Sequence, residues 1–145
     1  MLVYACISSH GYGHAARTTA VLEELVRLLP DCQVVLSTAV QPAFLKLAMG
    51  ETPYVHRPCR WDVGMIQADA LATDPEATLA ALEDLERALP AQLEEEARWL
   101  EAQPIRPLIL ADVPPSAARL AQRLCVPLIW MGSFGCHIQY FGKLV

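Results

Sequence analysis

Two loops in the sequence carry side chains that could do acid–base chemistry. Residues 8–14 contain two glycines and two histidines, and residues 112–115 contain an aspartate followed by a valine and two prolines. A neutral imidazole can accept a proton from a hydroxyl group, and an adjacent carboxylate orients the imidazole and stabilises its charged form. His14 and Asp112 are therefore the candidate catalytic pair. The same residue types also fit a structural histidine beside an aspartate that only caps a helix, and this alternative stays open.

Further residues near these loops are candidate contacts for a substrate. Glycines allow a ligand to approach the backbone, and the free N–H groups at the start of the following helix favour an anion. Trp61 lies in a segment without periodicity, where its ring could stack on a sugar. The candidate substrate-binding residues are Ser9, His10, Gly11, Gly13, Arg17, Trp61, Gln67, Asp69 and Ser133.

Neither a cofactor nor a metal ion is predicted. Residues 11–16 match the G-x-G-x-x-A variant of the dinucleotide fingerprint, but residues 36–39 (LSTA) offer no acidic group for the ribose. Nicotinamide binding is therefore the weaker alternative. The sequence has no D-x-D, H-E-x-x-H or P-loop motif, and its two neighbouring His/Cys pairs lack further ligands at metal spacing. We expect chemistry that does not depend on a metal.

Composition excludes several classes of protein. The chain has 145 residues, a net charge of −5 and 54% hydrophobic residues, which predicts a single globular domain and argues against nucleic-acid binding. Five cysteines without a C-x-x-C motif predict reduced thiols in a cytoplasmic protein. The N-terminus lacks the pattern of a secretory signal. The uncharged stretch at 124–142 contains proline, glycine and polar residues, so we interpret it as a strand and loop, with peripheral membrane contact left open.

The candidate residues must be positioned by alternating strands and helices. Strand-type runs lie at 2–7, 33–37, about 54–56, 108–111 and 128–131, and helical periodicity lies at 15–29, after Pro42, at 75–103 and at 115–124. Such alternation predicts an α/β protein with a Rossmann-like open parallel sheet of order 3-2-1-4-5 and helices on both faces. In this topology the loops after strands one and four meet at one crevice.

The helical patterns also make local predictions. Pro90 is expected to split the helical zone at 75–103 in two, and residues 94–96 (EEE) are expected to form its solvated face. The irregular residues 57–74 should cross the carboxyl edge of the sheet. The apolar residues expected to face inward are Val21, Leu22, Leu25, Leu28 and Leu29 in the first helix and Leu79, Leu82, Leu85, Leu89, Leu93 and Leu100 in the long zone.

Four ordered blocks of the chain resemble a known group of proteins. Residues 7–17 resemble the G-[FY]-G-H-x-x-R opening of GT-B glycosyltransferase-like proteins, a group that includes the N-terminal segment of plant L-arabinokinases. Residues 62–71, 108–115 and 128–140 are similar to the blocks that follow in that group. More distantly, the glycine loop ending in histidine is similar to that of the peptidoglycan N-acetylglucosaminyltransferase.

The resemblance implies half of a GT-B fold. In such proteins the N-terminal Rossmann-like domain receives the acceptor and the C-terminal domain holds a nucleotide-sugar. In inverting members a histidine after strand one deprotonates the acceptor hydroxyl with support from an aspartate, and His14 and Asp112 occupy those positions. Residues 1–145 stop before the last strands of that domain, so we expect the chain alone to be inactive and to need a donor-binding domain or partner chain.

Two further expectations complete the prediction. We expect self-association as a homodimer through the aromatic C-terminal segment, at Phe134, Tyr140 or Phe141. The alternative to an enzyme is a Rossmann-like domain that binds a small molecule or a partner protein without turnover.

Overall fold

The computed structural model describes residues 1–68 and 72–132, which form five strands and four helices. The predictions for Asp69 and Ser133, and for the C-terminal aromatic residues, lie outside the described residues. In chain order the elements are β1 (Leu2–Ile7), α1 (Tyr12–Leu28), β2 (Gln33–Ser37), α2 (Pro42–Met49), β3 (Val55–Arg57), α3 (Pro75–Glu101), β4 (Pro107–Asp112), α4 (Ser116–Leu124) and β5 (Leu128–Met131).

The sheet has the predicted order, β3-β2-β1-β4-β5, and each neighbouring pair is parallel. β1 is the central strand, and its six residues are all buried because helices cover both faces of the sheet. Ile7 at the end of β1 pairs with Asp112 at the end of β4. The α/β fold class and the Rossmann-like open sheet are thus confirmed, and the strand order reverses between β1 and β4.

Alternate side chains of β1 enter two separate cores. Tyr4 and Cys6 pack in one cluster with buried residues of α3 and α4, whereas Val3, Ala5 and Ile7 pack in the other with residues of α1 and α2. This division follows from the twofold period of a strand. The two faces of β1 therefore receive different helices and different polar groups.

The prediction that Pro90 divides the long helix is wrong, because α3 runs unbroken from Pro75 to Glu101. Proline removes one backbone hydrogen bond, but Leu89 and Leu93 on either side of it are buried against the sheet. Packing of these leucines holds the helix together across the proline. Tertiary contacts here outweigh the local preference of one residue.

The predicted apolar stripes of α1 and α3 extend beyond the parts of these helices that are buried. In α3 the stripe is buried at Leu85, Leu89, Leu93 and Leu100, but Leu79 and Leu82 are exposed. In α1 the expected core residues Val21, Leu28 and Leu29 are also exposed, whereas Leu22 is buried. The sheet covers only part of each helix, so periodicity identifies the apolar side without showing how far along the helix burial extends.

The prediction that residues 94–96 are all solvated is wrong for Glu96, which is 2% exposed. Arg57 donates to both Glu96 carboxylate oxygens at 2.8 and 2.5 Å, and the Tyr4 hydroxyl donates to Oε2 at 2.5 Å. The Tyr4 hydroxyl is also 2.8 Å from Ser37 Oγ. We call Tyr4, Ser37, Arg57 and Glu96 the interior cluster. Burial alone would raise the pKa of Glu96, but the hydrogen bonds from Arg57 and Tyr4 hold it below its ordinary value.

Candidate functional site

The site begins where the chain leaves β1. The backbone N–H of Ser8 donates to the carbonyl of Asp112 at 3.3 Å, which ties the ends of β1 and β4 together. Gly11 then adopts a φ of +102°, a conformation that favours glycine, and α1 begins at the next residue. Residues spaced three or four apart share one side of a helix, so the first turns of α1 direct His14, Arg17 and Thr18 toward β4.

These side chains converge on a buried carboxylate. Asp112 is fully buried, and its Oδ1 lies 3.2 Å from His14 Nδ1. Arg17 donates to both carboxylate oxygens, through Nε to Oδ2 at 3.3 Å and through Nη2 to Oδ1, and Thr18 Oγ1 donates to Oδ2 at 2.6 Å. We call His14, Arg17, Thr18 and Asp112 the edge cluster. The predicted proximity of His14 and Asp112 is confirmed.

We assign the His14 tautomer from the contact of Nδ1 with Asp112 rather than from its longer contact, 3.4 Å, with the Arg17 guanidinium. An ionised carboxylate only accepts hydrogen bonds, so Nδ1 of His14 donates to Asp112 and Nε2 is the basic nitrogen. Within the described residues, no side chain is hydrogen-bonded to Nε2, and the His14 side chain is 25% exposed. The imidazole therefore presents an acceptor at the open side of the site while its other nitrogen is anchored.

Arg17, a predicted substrate contact, lies in the edge cluster, and its contact with a ligand stays a prediction. Its guanidinium binds the Asp112 carboxylate and also lies 3.4 Å from His14 Nδ1. Such a two-point arginine–carboxylate contact fixes the orientation of both partners and balances the buried negative charge. Arg17 is thus placed to position Asp112, and the sequence showed only that it follows His14 by three residues.

The backbone after Asp112 is strained. Val113 has a φ of +81°, which is a rare conformation for a β-branched residue, and two prolines follow it. A residue in this region costs about 1–3 kcal/mol and persists where the surrounding structure requires it. Here the strained turn joins the buried Asp112 to the start of α4.

The irregular segment after β3 lies at the same edge, as predicted. Asp62 Oδ2 is 3.5 Å from His10 Nε2, and a Cβ at Gly64 would overlap the His10 side chain. The His10 ring in turn makes an edge-to-face contact with the His14 ring, with 5.0 Å between their centroids. His10 therefore joins this segment to the edge cluster.

The prediction that Trp61 stacks on a ligand is wrong. Its side chain is 1% exposed, and its indole N–H donates to the Ser37 carbonyl at 3.1 Å and to Ser37 Oγ at 2.8 Å. The Trp61 carbonyl accepts a hydrogen bond from Ser116 at the start of α4. Trp61 therefore anchors the irregular segment to the core, because its large apolar ring packs beside Tyr4.

Other predicted contacts are dispersed. Gly11 and Gly13 are exposed at the start of α1, and a Cβ at Gly13 would meet open space. Gln67 is exposed and forms an isolated bridge with Thr73. Among the predicted residues that the structure describes, only Ser9 and His10 line an open pocket of about 240 Å³. Its other lining residues are Arg60, Asp62, Val63, Gly64, Met65 and Ile66.

Sequence reasoning missed Asp62 and Arg60 as site residues. Asp62 opens one of the blocks that carry the family resemblance, and this was the signal that could have identified it. Within residues 1–68 and 72–132, no group of three or more His, Cys, Asp or Glu side chains could hold a metal ion. Nor does any helix in these ranges have the length and apolarity needed to cross a membrane.

The fold and the edge cluster define a class, a Rossmann-like α/β domain with an accessible histidine at the carboxyl edge of its sheet. The chain is 32% identical to L-arabinokinase of Arabidopsis thaliana in an alignment of 142 residues that covers 96% of the chain. It spans only 13% of that protein, so the similarity is to one segment of an enzyme. No protein-family model matches the chain. No solved structure was found to match it either.

Proposed function

We propose that this chain is the acceptor-binding half of an inverting glycosyltransferase that uses a nucleotide-sugar. The observation that carries the proposal is the partly exposed ring of His14, whose Nδ1 lies 3.2 Å from Asp112, so that Nε2 is the nitrogen left to accept a proton. The pocket beside His10 gives an acceptor a place to bind next to this base. The resemblance of the glycine loop to glycosyltransferase-like proteins selects glycosyl transfer among reactions that begin with deprotonation of a hydroxyl group.

In the proposed reaction the acceptor hydroxyl transfers its proton to His14 Nε2 as its oxygen attacks the anomeric carbon of the donor sugar. The bond between that carbon and the diphosphate oxygen breaks, and the diphosphate leaves with the bonding electrons. Attack from the opposite side inverts the anomeric configuration. Asp112 stabilises the imidazolium that forms. A second domain or chain would supply the donors that stabilise the leaving diphosphate.

A second candidate is a small-molecule-binding domain without turnover, and one observation favours it. Both oxygens of Asp112 are already bonded by Arg17 and Thr18, as expected of a structural ion pair. In that case His14 would be a fourth member of a rigid network and would move no proton. The two candidate functions predict different effects of removing the His14 imidazole. Only the first predicts the loss of a sugar-transfer activity.

The test uses the product of the whole reading frame. It is incubated with uridine and thymidine diphosphate-sugars and a panel of glycoside acceptors, and products are followed by mass spectrometry. His14→Ala should lower the transfer rate by about 10²–10⁴-fold, the usual contribution of a general base. His56→Gln, a histidine substitution in β3, is the control and should retain the rate.

Two results would contradict the proposal. Transfer by His14→Ala at the wild-type rate would remove its role as base, and acceptor binding with no transfer from any donor would favour the second candidate. A complementary measurement is calorimetry on the 145-residue chain. We expect no tight nucleotide-sugar binding, because the proposal assigns the diphosphate donors to another domain, and micromolar binding would overturn this division of roles.

A further inference from the structure

Asp62 is a nearly buried carboxylate, and the described residues give its Oδ1 no hydrogen-bond donor. Its side chain is 10% exposed, and its Oδ1 is buried without a hydrogen-bond partner among the described residues. The other oxygen, Oδ2, has His10 Nε2 at 3.5 Å, which is long for a hydrogen bond. Burying a carboxylate with unmet acceptor capacity costs free energy that a structural role would not require. The unmet oxygen therefore indicates a ligand that donates to it.

The pocket around Asp62 limits the chemistry of that ligand. Arg60 offers only donors, and in the described residues its guanidinium has no ion-pair partner, whereas Asp62 offers only acceptors. A ligand that spans both must donate at one position and accept at the next. Neighbouring hydroxyl groups do both. An ammonium group would be attracted by Asp62 but repelled by Arg60, and a phosphate or carboxylate group the reverse, whereas a neutral pair of hydroxyl groups meets both side chains without a like-charge contact.

The rest of the lining fits the same ligand. Val63, Met65 and Ile66 contribute apolar side chains, which suit the C–H faces of a sugar ring. His10 lines the pocket and touches the His14 ring, so a sugar bound here is separated from His14 by one imidazole ring. The pocket is therefore suited to hold one part of a sugar while another hydroxyl group reaches His14.

We propose that this pocket is a carbohydrate subsite and that Asp62 selects the sugar by accepting a hydrogen bond from one of its hydroxyl groups. The inference rests on the proposed function in one respect, namely that the bound sugar is the acceptor that His14 deprotonates. Sugar binding itself requires neither turnover nor a donor domain, so it is tested on the chain alone.

Gly64 provides an independent variant. A Cβ at this position would overlap the His10 side chain, so Gly64→Ala must displace either the segment at 60–66 or the His10 ring. Both displacements change the pocket without changing any of its polar groups. Loss of binding in this variant would show that the position of the segment, as well as the Asp62 carboxylate, makes the subsite.

The experiment is a titration of the ¹⁵N-labelled chain, followed by amide NMR shifts. The probes are methyl glycosides of pentopyranoses and hexopyranoses, with cyclohexanol and cyclohexylamine as a lone hydroxyl and an ammonium. We expect saturable shifts at residues 9–10 and 60–66 with the glycosides, and much weaker binding of both cyclohexyl compounds. Asp62→Asn should weaken glycoside binding at least about tenfold, because the amide cannot replace both acceptor oxygens. The matched control, Asp31→Asn, changes an exposed carboxylate and should bind like wild type.

Thermal unfolding separates a binding role from a structural one. Asp62→Asn should leave the melting temperature unchanged or raise it, because it removes a buried charge that lacks donors. A marked fall in melting temperature with glycoside binding intact would overturn the proposal. Tighter binding of cyclohexylamine, or glycoside shifts confined to other residues, would overturn it as well.

The result also distinguishes this subsite from the proposed reaction. Glycoside binding that is lost in Asp62→Asn, in a protein that shows no sugar transfer, would support the subsite and contradict the transferase. Transfer that depends on His14 but is unaffected by Asp62→Asn would contradict the subsite alone.

Discussion

The edge cluster and the interior cluster are built from the same parts but end differently. Each has a buried carboxylate, an arginine that binds both of its oxygens, and a hydroxyl group that donates to it. In the interior cluster the Arg57 guanidinium lies over the Trp99 ring, 4.8 Å from its centroid, and the network ends in the core. In the edge cluster the network ends in His14, whose ring is partly exposed.

This difference distinguishes a cluster whose groups are all enclosed in the core from a cluster that presents one titratable side chain at the surface. A buried arginine–carboxylate pair is weak evidence for function, because it fits either role. What distinguishes the edge cluster is an imidazole with one nitrogen anchored and the other accessible, next to a strained turn at Val113 and an open pocket. The same kind of ion pair therefore joins elements in the core on one side of the sheet and orients a partly exposed imidazole at its edge.

The largest effect is expected from breaking the interior cluster. Glu96→Ala leaves Arg57 and the Tyr4 hydroxyl without their shared acceptor, so the free energy of unfolding should fall by about 3–5 kcal/mol. Urea unfolding followed by circular dichroism measures the change. The control is Glu95→Ala, one residue earlier in α3, where the side chain is 71% exposed and the loss should be far smaller. Equal losses in the two variants would show that the interior cluster does not stabilise the fold.

Chemical reagents should react slowly with groups at the interior cluster and readily with His14 of the edge cluster. The Cys59 thiol adjoins the interior cluster through Ser37 and Glu96, and burial raises its pKa to about 12 despite the hydrogen bond with Ser37. At about pH 8 only about one Cys59 thiol in 10⁴ is then ionised, so iodoacetamide should label it at least about a hundredfold more slowly than the exposed Cys125.

Diethyl pyrocarbonate should acylate His14 on the same folded protein. Peptide mass spectrometry of a Cys136→Ser chain reads both reactions residue by residue, and it resolves Cys59 and Cys125 from the other buried thiols, Cys6 and Cys32. Labelling of Cys59 at the rate of Cys125 would contradict the closed state of the interior cluster.

Two substitutions in the edge cluster should separate its structural and chemical parts. Asp112→Asn removes a charged acceptor shared by Arg17 and Thr18, and we expect a loss of about 2 kcal/mol in unfolding free energy. His14→Ala removes a partly exposed ring whose loss leaves that pair bonded, so its effect on stability should be below about 1 kcal/mol. Chemical denaturation of both variants provides the comparison. A larger loss for His14→Ala would make the imidazole a structural member of the network.

The smallest expected effect is on the loss of stability at acidic pH. The pKa of Glu96 in the folded chain is below its ordinary value of 4.5, so its contribution to stability is complete above that value and is lost as the pH falls through the folded pKa. Glu96→Gln should flatten this part of the pH dependence, whereas Glu83→Gln, an exposed carboxyl variant of α3, should not. Urea unfolding between neutral and acidic pH is the measurement. An unchanged slope in Glu96→Gln would mean that other carboxyl groups dominate acid unfolding.

The sequence predicted the strand order and the approach of His14 to Asp112 because both depend on topology. Once β1 and β4 are neighbours in a parallel sheet, the loops at their carboxyl ends must meet. The prediction required no knowledge of any single side-chain contact, which is why it survived errors elsewhere.

The interior cluster was missed because burial of a charge depends on partners distant in the sequence. Glu96 follows Leu93 by three residues and precedes Leu100 by four, so it falls on the buried stripe of α3. The run of three glutamates nevertheless favoured a solvated face, since neither Tyr4 nor Arg57 is marked in the sequence as its partner. Trp61 was misplaced for a similar reason, because its hydrogen bond to Ser37 on β2 makes it a core residue.

The central place of β1 has a consequence for how the molecule is assembled. Its two neighbours are far apart in the chain, since β2 spans residues 33–37 and β4 spans 107–112. His14 and Asp112, which are in contact, are likewise 98 positions apart. During synthesis the first three strands leave the ribosome before the chain that completes β1 has been made. Until then one edge of β1 is unpaired and Arg17 lacks Asp112 as a partner. The edge cluster thus forms only when β4 pairs with β1. This pairing closes a long loop of chain, so we expect it to be a late and slow step of folding.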